Sequence, residues 1–169
     1  MLFKKSIIPP KAGYKAENPF MQLAIDEARN GIYNGHGGPF GAVIVKDGKI
    51  IAKGHNHVLI TPDSTCHGEI DAIRKADKKL KTFDLSGCEI YTTGKTCPMC
   101  LFACLWANIS HIYYGCTIDD NEKIGFRDGA FTRILNTDSQ PLQNLFTQID
   151  RDACLKLFEE YNSLNGKRY

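Results

Sequence analysis

A chain of 169 residues that is 43% hydrophobic and 24% charged carries enough apolar surface for one globular domain with a full core, which excludes the disordered and fibrous classes. Its formal net charge of +2 gives no basic field for a polyanion, and no apolar run approaches the ~20 residues of a bilayer span, so neither nucleic acid nor membrane is an expected partner. The cysteine count is seven, an odd number, and the opening "MLFKKSIIPP" has an apolar run that stops at Pro9-Pro10. The expectation is a reduced, cytoplasmic protein with neither a disulfide framework nor a signal sequence.

No repeat, low-complexity tract or linker interrupts the chain, so residues 1–169 are expected to form a single domain. "NPFMQLAIDEARNGIYNG" opens with Asn18 as an N-cap and Pro19 at the first helical position, then repeats apolar residues at helical spacing. "GGPFGAVIVKDGKIIAKGHNHVLI" holds two strand-like runs joined by Asp47-Gly48, the dipeptide of a tight hairpin. A second helix is predicted from about Cys66 to Lys79, with Ser64 and Thr65 as capping candidates, followed by the strand "CEIYTT". "PMCLFACLWAN" has proline in its first turn and almost continuous apolar residues, which predicts a buried helix, and "HIYYGC" returns to strand. Thr117 to Gln143 is polar and ambiguous, while "DRDACLKLFEEYNSLNGKRY" predicts a last amphipathic helix. The alternation points to an α/β fold. The basic run 74–81 lies at helical spacing and is expected to be a solvated face.

The chemistry concentrates in "TGKTCPMCLFACLWA", where Cys97 and Cys100 sit one helical turn apart at a helix start. Such a pair serves disulfide exchange, metal binding or plain packing, because a helix N-terminus favours thiolate and both thiols face one side. A redox pair also follows a strand, so spacing alone leaves these readings open. About thirty residues upstream, "STCHGEIDAI" places His67 and Glu69 at another helix start. One imidazole and two thiolates make three Zn²⁺ ligands with a fourth tetrahedral position left for water, and Glu69 is the unligated carboxylate that such a site needs for proton transfer. Cys66, Cys88, Cys104, Cys116 and Cys154 match no ligand position and are expected to pack.

His67-Gly68-Glu69 with Cys97-Pro98-Met99-Cys100 is the signature of zinc-dependent nucleobase deaminases. From roughly Phe20 to Tyr169 the chain resembles the guanine deaminase branch of the cytidine deaminase-like superfamily, through "GGPFGAVIVKDG", "AIRKA", "CPMC", "GFRD" and the terminal Tyr169. That resemblance implies a three-layer α/β/α sandwich around a central mixed five-stranded sheet, Zn²⁺ as cofactor, and a homodimer that exchanges C-terminal segments and places Tyr169 in the partner's site. It implies further that Glu69 and Asp128 are catalytic, that Asp128 also binds the substrate, that Asn56 hydrogen-bonds the base, and that Phe40 and Trp106 wall it. The substrate implied is a nucleobase or nucleoside, first guanine, then guanosine or another aminopurine or triazine. Cytosine or tRNA adenosine follows. A zinc or redox module without hydrolytic activity is the alternative of another class, and it leaves Glu69 without a role. Two departures stand out: Gly68 where the family usually has alanine, and Gly94-Lys95-Thr96 where it usually has Cys-Glu-Pro.

Overall fold

The computed structural model of the chain describes residues 15–136, together with Gln148, Arg151, residues 155–158 and Ser163. The chain divides into two compact units, Met1–Thr132 and Arg133–Tyr169, and the whole sheet belongs to the first.

Helix α1 (Pro19–Tyr33) is capped as the sequence predicts: the Asn18 side chain accepts the amide hydrogens of Phe20 and Met21, and proline occupies the first turn. Strands β1 (Gly41–Lys46) and β2 (Lys49–His55) pair antiparallel, joined by Asp47 and Gly48 with φ of 49° and 71°, the left-handed pair that matches strand twist in a two-residue hairpin. Helix α2 (Gly68–Leu80) leads to β3 (Cys88–Gly94), α3 (Pro98–Trp106) and β4 (His111–Cys116). The described part of the ambiguous segment after β4, residues 117–136, proves largely helical. Thr117 and Asp120 form a capping box for α4 (Ile118–Lys123), and α5 (Asp128–Asn136) follows.

Among the described residues the sheet has four strands in the order β2-β1-β3-β4, not the five that the resemblance implies. β1 is antiparallel to both its neighbours and β3 is parallel to β4, so the sheet is mixed as expected. Alternation along β1 sorts its residues between two layers. Ala42 and Ile44 pack with Ala72, Ile73 and Ala76 of α2 and with Cys104 of α3. Val43 and Val45 pack on the other face with Ala24 of α1 and Tyr91, flanked by Phe20, Met21 and Leu23. Helices on both faces make the α/β sandwich.

Two local expectations are corrected. α2 starts at Gly68 with His67 as its N-cap, because Thr65 spends its hydroxyl on Asp63 Oδ1 at 2.7 Å rather than on a helix amide. And α3 is not buried all round: Cys100 and Cys104 are buried, whereas Leu101, Phe102, Leu105 and Trp106 are 39–69% exposed. The basic residues 74, 75, 78, 79 and 81 are exposed as predicted. No helix among the described residues is long and apolar enough to cross a membrane.

Candidate active site

Antiparallel pairing brings three distant segments to one end of the sheet. Gly41, at the start of β1, faces His55 at the end of β2, and Ala42 faces Thr92 near the end of β3. Phe40, Asn56 and Lys95 therefore leave the sheet together, and they line a cleft of about 380 Å³, within the ordinary range for a small-molecule site.

Both helix starts face that end. His67 Nδ1 lies 3.6 Å from Cys97 Sγ and 3.5 Å from Cys100 Sγ, although His67 and the thiols come from different helices. A tetrahedral Zn²⁺ bonded at 2.0–2.1 Å to nitrogen and 2.3 Å to sulfur sets those ligands about 3.5–3.6 Å apart. The donor set and its spacing fit that ion. His67, Cys97 and Cys100 are the one group of this kind among the described residues, with ligand atoms all within 4.8 Å.

Charge in the cluster is poised for a cation. The thiol of Cys97 is pulled down to about 4 by hydrogen bonding from Cys100 and then His67, against the opposing effect of burial. That of Cys100 is pushed up, first by its bond to Cys97 and then by burial. The two thiols are thus pushed in opposite directions, and a cation held between them would favour thiolate at both. The His67 imidazole is raised by Cys97. Glu69 is 6% exposed, and burial lifts its carboxyl to about 7, with the Cys97 thiolate adding to the lift and His67 opposing it. Such a carboxyl takes up and gives up a proton near neutral pH.

The remaining predicted residues divide clearly. Phe40, Asn56 and Asp128 line the same cleft as His67, Glu69 and Cys97. Asn56 is buried and its Oδ1 accepts the Val58 amide hydrogen at 3.3 Å. Burial raises the Asp128 carboxyl, and a hydrogen bond from Asn121 partly opposes this. Trp106 does not line the cleft; it is 69% exposed near the end of α3. The second aromatic wall is Phe126, whose ring stands edge-on to Phe40 at 4.7 Å between centroids and 84° between planes. Phe126 lies inside the quoted "GFRD", so the signal was there without the role. Tyr169 and Cys154 lie outside the described residues. Asn121 carried no sequence signal at all.

A cleft that joins a His/Cys/Cys cluster to a buried, unligated glutamate defines a metal-dependent hydrolytic deaminase. The chain belongs to the family described as the cytidine and deoxycytidylate deaminase zinc-binding region, whose model matches residues 15–116. It is a zinc-dependent deaminase, with Zn²⁺ as its cofactor. Among particular proteins, it is 39% identical over 151 residues to the guanine deaminase of Bacillus subtilis, a match covering 89% of this chain and 97% of that one. The X-ray structure of guanine deaminase from Bacillus subtilis superposes with a TM-score of 0.83 at 36% identity, covering 92% and 99% of the two chains. A tRNA-specific adenosine deaminase of Buchnera aphidicola is 31% identical over 150 residues, 89% of this chain and 95% of its own.

Proposed function

We propose that the chain deaminates a purine base, guanine, to xanthine and ammonia, with water as the second substrate. The observation that carries the substrate class is the carboxylate of Asp128, which lines the cleft together with His67, Glu69 and Cys97. The similarity to guanine deaminase over nearly the full length of both chains supports the same reading.

His67, Cys97 and Cys100 are the residues that would hold the ion. Zinc held there supplies the Lewis-acid activation that lets water act as a nucleophile near neutral pH. Phe40 and Phe126 confine a flat ring by their faces and edges, and the Asn56 amide, able to donate and accept, reads its edge. Glu69 takes a proton from the attacking water and delivers it to the ring nitrogen beside the amine-bearing carbon, C2 of guanine. Attack makes that carbon tetrahedral. Glu69 or Asp128, the latter with its carboxyl raised by burial, carries the proton of the new C2 hydroxyl to the departing amine as that oxygen becomes a carbonyl. The C–N bond breaks and ammonia leaves, the new oxygen having come from water.

An ammonia-release screen of the zinc-loaded protein against guanine, guanosine, cytosine, cytidine, adenine, aminotriazines and tRNA tests the substrate. Guanine is expected to lead. Turnover of tRNA above that of guanine would favour adenosine at the level of a folded RNA, the reading that the Buchnera relative supports.

We propose further that the chain works as a homodimer in the cytoplasm. The exposed Leu101, Phe102, Leu105 and Trp106 of α3 support a self-association face, and the largely exposed edge strand β4 lies in the same unit. Exchange of the C-terminal segment and a part for Tyr169 in the partner's cleft remain tied to the family resemblance. An exchanged tail predicts that deleting Tyr169 slows turnover without unfolding the chain.

A further inference from the structure

We infer that Asn121 is a positioning residue that sets Asp128 and the 94–96 loop against the cleft. The inference rests on the proposed role of Asp128. Asn121 sits on the six-residue α4 and is 2% exposed. Its Nδ2 donates to Asp128 Oδ2 at 2.9 Å and reaches the Lys95 carbonyl oxygen at 3.4 Å. Both neighbours are acceptors, which fixes the amide with its nitrogen toward them. The main-chain carbonyl of Asn121 accepts the amide hydrogen of Phe126 at 3.1 Å. One buried residue thus touches three segments of cleft wall, at Lys95, Phe126 and Asp128.

The unusual Gly94 belongs to the same unit. A Cβ at 94 would fall 2.8 Å from Asn121 Oδ1, closer than real Cβ atoms come, and 3.1 Å from the Phe40 ring, tighter than most. Glycine there lets the Asn121 amide and the Phe40 ring close together over the end of β3. A buried amide that served only to fill space would need acceptors of any kind. Here both are groups of the cleft, and the shorter bond goes to the Asp128 carboxylate.

The test is a double-mutant cycle of Asn121→Ala with Asp128→Asn in zinc-loaded protein. Turnover is followed on the substrate that releases most ammonia, guanine on the reading above. Asn121→Ala should lower kcat about 10- to 100-fold, the cost of a slightly misplaced reacting group, while KM changes much less and zinc content stays constant. The double variant should be no slower than Asp128→Asn alone, within about two-fold. Asn121→Asp, of nearly equal volume, sets a carboxylate against Asp128 and should lower kcat in the same way; it carries the comparison if the alanine variant does not fold. Independent, multiplying effects overturn the positioning role while leaving Asp128 in place. Full turnover in Asp128→Asn overturns the role of Asp128 and the inference with it.

Discussion

At the residue scale, the site turns on what burial does to Glu69. A carboxyl 6% exposed and raised to about 7 is matched to proton transfer, whereas an ordinary solvent-exposed glutamate stays ionised and is a weak acid catalyst at neutral pH. Glu69→Gln removes the proton carrier and leaves the three ligand atoms untouched. It should retain zinc by metal analysis and lose roughly 10²- to 10⁴-fold in kcat; near-normal ammonia release would exclude Glu69 as the carrier. His67, Glu69, Cys97 and Cys100 were legible because each pair keeps a fixed short spacing at a helix start, and spacing survives without a structure. Asn121 was not legible. It is one polar residue in "TIDDNEKIGF", and its burial comes from the 94–96 loop and Asp128, which no local pattern reveals.

At the scale of elements, two contacts hold the cleft's frame. Glu27 on α1 accepts from the His55 ring at 2.8 Å at the end of β2, with Lys53 3.8 Å away. The His55 bond and neighbouring cations hold the Glu27 carboxyl below its ordinary value of 4.5, against the opposing effect of burial. A carboxyl lowered in the folded state stabilises above that ordinary value, and the contribution is lost as pH falls through the lowered folded pKa. Glu27→Gln should therefore cost roughly 1–3 kcal/mol near neutrality, and melting curves of variant and wild type should converge as pH drops below 4.5. Equal differences at every pH would rule out the ion pair as the cause.

The second contact is Gly68. A Cβ there would fall 2.7 Å from the Phe40 carbonyl oxygen, which also accepts the Asn56 amide hydrogen at 2.8 Å. Gly68→Ala must push the start of α2 away from Phe40, the residue just before β1. We expect a loss of about 1–3 kcal/mol, as for other overpacked sites, together with a raised KM, read by thermal melting and steady-state kinetics. An unchanged KM would show that the cleft absorbs the methyl group. Strands, hairpin and α1 were readable from alternation, Asp47-Gly48 and Asn18-Pro19. The start of α2 was not, since Ser64 and Thr65 look like caps until Asp63 is seen to hold Thr65.

At the scale of the whole molecule, the apolar α3 raises the question of what covers it. Continuous apolar residues predict burial, but a sequence pattern does not distinguish burial inside one chain from burial between two. Leu105, 56% exposed, is the position to probe. Leu105→Glu should shift the mass by light scattering from twice 18.9 kDa to one chain while far-ultraviolet circular dichroism holds. A wild type that is already monomeric would remove the dimer from the proposal.

The pairing of β1 with β3 has a further consequence for how the protein comes to exist. Val43 faces Tyr91 across that pair, so the loop that must close spans nearly fifty residues, and closure entropy is spent before any contact repays it. His67 lies within that loop and Cys97 just beyond it. His67 and Cys97 are thirty residues apart, so closing the β1–β3 pair also draws these two donors toward one another. A cation held between them would be linked to that long-range pair, its binding free energy adding to the stability of the folded sheet.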